Sequence, residues 1–104
     1  MQTFILLTRL ISEEVHPSFR IEEMEKATVA RIEKYLPEVS WISNFALIGP
    51  WDYLDIFSAP DMDAAMKVSA IVRHYGGAHT EMWPATEWNH FEQLMRELTE
   101  VVKQ

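Results

Sequence analysis

Three side chains able to move a proton or hold a polar ligand fall where strands, not loops, are expected: Asp55, His79 and Glu81. Asp is disfavoured in mid-strand, so something must offset the desolvation of its carboxylate. Asn44, opposite Asp55 across a hairpin, or Arg9 on the adjoining first strand can satisfy it as a structural cluster, or the group can serve a ligand or a proton transfer. An imidazole titrates near neutrality, which suits His79 to general base or acid work with Asp55 as orienter or second acid; a solvated or dimer-contact histidine is the plainer reading. Large aromatics alternate with these groups. Trp51, Tyr53 and Trp83 can wall a small, partly aromatic molecule, although packing in a core or interface accounts for them as well. The candidate set is therefore His79 and Asp55 for catalysis, with Arg9, Asn44, Trp51, Tyr53, Glu81 and Trp83 as ligand contacts.

Other polar residues read as structural. Gly49 and Asp52 suit a hairpin turn, since Gly tolerates positive φ and Asp bonds nearby amides; Asp61 suits a helix cap. Glu87 and His90 stand three apart on a helix, half of a pattern that needs two such pairs to hold metal, so no metal site is expected. His16 falls in a loop, and His74 near a helix end where a cation is favoured. No His-Glu-x-x-His, phosphate-binding glycine loop or serine elbow is present.

The elements that must position these residues follow from periodicity. Residues 3–10 form a short apolar run of the kind that is covered on both faces of a sheet. From Ser18 to Leu36 the positions Ile21, Met24, Thr28, Ile32, Tyr35 and Leu36 recur at steps of three and four, an amphipathic helix that Pro37 ends. Val39 to Ile48 and Trp51 to Ala59 read as two strands of a hairpin turning at Gly49-Pro50. A second helix runs from Asp61 to Tyr75 and stops at Gly76-Gly77; Ala78 to Ala85 is a fourth strand. Thr86 is the expected cap of a last helix with Trp88, Phe91, Leu94, Met95, Leu98 and Val102 on one side. The order β-α-β-β-α-β plus a terminal helix is the α+β, ferredoxin-like arrangement: a four-stranded antiparallel sheet in order 4-1-3-2 within one domain spanning residues 1–104. In that order the first strand separates Asp55 from His79 by about 9.5 Å, too far for a direct dyad.

Pairing back from the turn sets Ile48, Ala46, Asn44 and Ile42 opposite Trp51, Tyr53, Asp55 and Phe57 on one face. Trp41, Phe45, Leu47, Leu54 and Ile56 take the other, more uniformly apolar face and are expected under the helices, with Trp41 and Trp88 in the core. The mixed face suits neither open water nor a closed core, so a partly enclosed cavity is expected there, which a second copy of the sheet can close. His79, Glu81 and Trp83 are expected to join it.

Composition narrows the partners. The 104 residues carry 9 Lys and Arg against 16 Asp and Glu, a net charge of −7, with no basic stripe to track phosphates, so nucleic acid is not expected. There is no Cys, hence no disulfide framework and no thiolate metal site. The apolar run at Met1 to Leu7 lacks a basic flank and is shorter than a membrane span or signal sequence, so no membrane association and a cytoplasmic location are expected.

Gly49-Pro50-Trp51-Asp52, then Ser58-Ala59-Pro60-Asp61 opening a helix, then Gly77-Ala78-His79-Thr80-Glu81 in the last strand together resemble the GYD-domain family. The resemblance spans nearly the whole chain with spacings retained. It departs at Trp51, where the signature has Tyr, and at Ala78-His79, where Val and often Arg are usual. What it implies is the dimeric α+β barrel, in which two ferredoxin-like sheets pack face to face, rather than an activity. The function expected is a homodimer binding a small, partly aromatic molecule in a cavity between sheet and helices, with the cofactor unknown. The alternatives are a small enzyme of the cofactor-independent oxygenase, isomerase or haem-binding type, with His74 or His79 as axial ligand, and a purely structural module.

Overall fold

The computed structural model describes residues 1–11, 18–75 and 77–103. Its elements are β1 (Gln2–Leu10), α1 (Ser18–Tyr35), β2 (Ser40–Ala46), β3 (Tyr53–Ala59), α2 (Met62–Tyr75), β4 (Ala78–Ala85) and α3 (Trp88–Val102). All neighbouring strands are antiparallel, in the order β2-β3-β1-β4, the ferredoxin-like arrangement expected. His16 and Gly76 lie outside the described residues, as does the side chain of Ile21.

Local chemistry sets most boundaries. α1 ends before Pro37, whose ring cannot continue a helix. Asp61 caps α2: its Oδ1 accepts from Ala64 N at 2.9 Å. Gly77 has φ +56°, the left-handed region that a residue with Cβ avoids, and its carbonyl accepts from Ile11 N at 3.0 Å. The connection between β2 and β3 is longer than a two-residue turn, so both strands are shorter than their apolar runs; it is closed by Leu47 N donating to Asp52 O at 2.8 Å. Asp52 then ties the hairpin to β1: its N donates to Thr8 O at 2.8 Å and its Oδ2 accepts from Leu10 N at 2.8 Å. Gly49 in this connection has φ +155°. We expect Gly49→Val to lower stability by about 1–3 kcal/mol, read as a shift of the thermal midpoint, because a β-branched residue is strained at that φ.

The core lies between the sheet and the pair α1 and α2. Phe4, Leu6, Ile32, Phe57, Ala59, Ala65 and Val68 are fully or almost fully buried. Phe57 stacks on Phe4 at 5.6 Å between centroids and meets Trp41 at 5.5 Å. The small Ala59 and Ala65 let α2 approach the sheet closely. Arg31 of α1 lies 3.8 Å over the Tyr75 ring of α2, linking the helices on their outer side.

The assignment of sheet faces is reversed from the sequence-based expectation. Phe57, Asp55 and Tyr53 of β3 share the helix-covered face with Phe4, Leu6 and Thr8, while Leu54 and Ile56 point away with Ile5 and Leu7. A bulge between Trp41 and Ser43 also replaces the expected Ile42–Phe57 pair by Trp41–Phe57, so Trp41 and Asn44 reach the same face despite their odd and even positions. Phe45 pairs with Leu54, on the outward side.

The last helix corrects two further expectations. Its N-cap is Glu87 with no side-chain cap bond, because Thr86 Oγ1 instead meets His90 Nδ1 at 2.8 Å. Trp88 is 68% exposed, not core, and α3 buries none of its residues. The molecule measures 60 × 31 × 18 Å with a radius of gyration of 16.7 Å, whereas a compact chain of this length has about 13 Å. The shortest dimension accommodates a sheet and one helix layer, so α3 lengthens the molecule instead of adding a second layer. Among the described residues no helix is long and apolar enough to cross a membrane.

Candidate functional site

Between the sheet and α1 lies a cavity of about 420 Å³. Its floor is built by alternation along three strands: Thr8 and Leu10 from β1, Tyr53 and Asp55 from β3, Trp41 and Asn44 from β2. Its roof is one stripe of α1, in which Met24, Thr28 and Ile32 recur every four residues with Glu25 and Val29 beside them. Ala78, Gly77 and Val72 close one end. This space reconciles Asp55 with a helix-covered face, since α1 does not press its side chains onto the carboxylate there.

The polar groups of the cavity are few. Thr28 is buried and satisfied by its own helix, its Oγ1 donating to Met24 O at 2.8 Å. Asn44 Nδ2 donates to Asp55 Oδ1 at 2.6 Å, the cross-strand partnership that alternation implied. Burial pushes the Asp55 carboxyl above its ordinary range; the Asn44 bond opposes that shift and the charge of Glu25 adds to it. The Tyr53 phenol is likewise pushed up, first by burial and then by the negative charges of Asp52, Glu25 and Asp55.

The raised Asp55 value carries a sign for stability. A folded-state pKa above the unfolded one means that the native protein binds that proton more tightly, so its contribution is complete below the unfolded value and disappears as pH rises through the folded one. At neutral pH the ionised group is a net cost, softened by solvent. We expect Asp55→Asn to match or slightly exceed the parent's thermal midpoint near neutral pH and to lose that advantage in acid. A variant clearly less stable at neutral pH would make the Asn44–Asp55 bond structural.

The structure brings together only part of the expected set. Asp55, Asn44 and Tyr53 meet in the cavity. Arg9 and His79 pair across β1 and β4, and Glu81 and Trp83 pair with Leu7 and Ile5, all on the opposite face of the sheet. Trp51, in the connection before β3, lies under the Arg9 guanidinium at 5.7 Å from its ring centroid. Asp55 and His79 are thus separated by β1, as expected, and by the sheet itself, which was not. Arg9 accordingly does not satisfy Asp55. His79 and His74 border a separate shallow depression with Arg73 and Ile11.

Glu25, Met24 and Thr28 also line the cavity and were not among the expected site residues; Met24 and Thr28 were expected only on the apolar stripe of α1. The available signal was Thr28, a hydroxyl inside the apolar stripe of α1 one turn from Met24.

A family model described as GYD domain matches residues 4–95. Among solved structures the chain is similar to the crystal structure of TTHA0845 from Thermus thermophilus, with a TM-score of 0.54 and 21% identity over 84% of this chain and 95% of that one. At that identity the likeness is one of fold. No significant match is found among curated proteins.

Proposed function

The chain belongs to the GYD domain family, and on that premise we propose that it is a homodimeric small-molecule-binding protein whose site is the cavity under α1. The observation that carries this reading is a largely apolar space of about 420 Å³ on which a few polar groups converge, Asn44, Asp55 and the Tyr53 phenol. Ligand pockets have this composition and fall in the range of about 300–1,000 Å³. Asp55 and Asn44 fix the polar end of the ligand, and Trp41 and Tyr53 flank its apolar body.

The outward face and α3 supply the dimer. Ile5, Leu7, Leu54 and Ile56 form the centre of that face, with Phe45 and Trp83 54% and 46% exposed beside them. On α3 the apolar residues Trp88, Phe91, Met95, Leu98 and Val102 alternate three and four apart, the spacing of a helix seam that packs against another element. A second copy covers both surfaces, and Arg9, His79 and Glu81 then lie at the contact instead of at a catalytic centre.

The test is a thermal-shift and calorimetric screen of the parent and of Asp55→Asn with quinones, aromatic acids, aromatic amines and haem. We expect at least one class to raise the parent's midpoint and to bind the variant more weakly. If no class shifts the parent and Asp55→Asn is strongly destabilised, the polar residues hold the fold together and the ligand reading fails.

A further inference from the structure

The charge pattern of the cavity selects its ligand. Among the described residues that line it, the ionisable side chains are Glu25, Tyr53 and Asp55; none is a Lys, Arg or His. A carboxylate or phosphate ligand would enter a space walled by acids and lose its hydration without gaining a countercharge. A cation finds the reverse. Two aromatic side chains, Trp41 and Tyr53, reach the same space, and the face of such a ring attracts an ammonium. The net charge of −7 further favours the approach of cations.

The two carboxylates stand on different elements, Glu25 on α1 and Asp55 on β3, so a group between them meets charge from roof and floor together. Asn44 occupies Oδ1 of Asp55, and among the described residues no donor is placed on Oδ2. Burial and the neighbouring Glu25 both disfavour the ionised Asp55, and a bound cation would offset that penalty.

We propose that the cavity binds an organic cation, an ammonium group carried on an apolar or aromatic body, held between Glu25 and Asp55 and flanked by Trp41 and Tyr53. The proposal rests on the small-molecule reading above and adds the charge class of the ligand. A quaternary ammonium takes the aromatic and Coulombic part of this recognition, and a primary ammonium can in addition donate a hydrogen bond to Asp55.

The test uses three probes of similar size on the intact protein: benzyltrimethylammonium, benzyl alcohol and benzoate, titrated by calorimetry at low salt. We expect the ammonium to bind about tenfold or more tighter than the alcohol, and benzoate to bind most weakly. Glu25→Gln, an exposed helix position where the fold tolerates exchange, should weaken the ammonium by about three- to tenfold and leave benzyl alcohol unchanged. Equal or tighter binding of benzoate or benzyl alcohol would overturn the cation assignment while leaving a small-molecule site in place. Absence of binding by all three probes, together with no shift from any class in the wider screen, would overturn both. Ammonium binding that Glu25→Gln and Asp55→Asn leave unaltered would place the cation elsewhere and also defeat the proposal.

Discussion

Phe57→Ala is expected to cost about 3–5 kcal/mol of folding stability, enough to bring a domain of this size close to unfolding at ambient temperature. Phe57 is fully buried, stacks on Phe4, packs against Trp41 and lies on the strand that carries Asp55 and Tyr53. Removing the ring leaves a void that Ala59, Ala65 and the backbone of β3 cannot collapse to fill, because small residues already hold α2 close to the sheet there. Denaturant unfolding measures it directly. The comparison variant is Phe45→Ala, on the outward face and 54% exposed, which should cost less than about 1 kcal/mol in the monomer. If Phe45→Ala were the more damaging change, the helices would cover the other face of the sheet and the cavity under α1 would not exist.

The second large effect concerns association. Trp83 stands on the edge strand β4, beside Ile5 on the outward face and 46% exposed, so it contributes little to the fold of one copy and much to a contact with another. In interfaces a centrally placed Trp is a frequent hot spot, and its truncation costs about 2 kcal/mol or more, about 30-fold in Kd. Light scattering of the parent should give a dimer at micromolar concentration. Trp83→Ala should shift the dissociation midpoint by that factor with the far-ultraviolet circular dichroism unchanged. A monomeric parent would remove the dimer from the proposed function, and the cavity, which lies on the other face, would stand without it.

How much of this was legible beforehand follows from the range of the interactions involved. Element order and most boundaries were readable because local chemistry decides them: Pro37 stops α1, Asp61 caps α2, and Asn44 pairs with Asp55 because alternation within a hairpin carries that register. The cap of α3 was not, because Thr86 has two local partners to choose between, and the His90 ring wins.

By itself, the sequence determined the α+β order, the strand pairing near the turn, the lack of any cysteine chemistry and an acid in mid-strand that demanded an explanation. Only the tertiary structure decided which face of the sheet the helices cover. Both faces of β3 carry apolar side chains, so parity sorts the residues into two sets without saying which set is inside; that depends on where α1 and α2 dock, through Ile32, Ala65 and Val68 on Phe4, Leu6 and Phe57. Tertiary packing alone also left space between α1 and Asp55, set Trp41 beside Asn44 through a bulge, and sent His79, Glu81 and Trp83 to the opposite face. A carboxylate on a covered strand is costly in a closed core and tolerable beside a cavity, and the size of that cavity is settled by contacts between residues far apart in the chain.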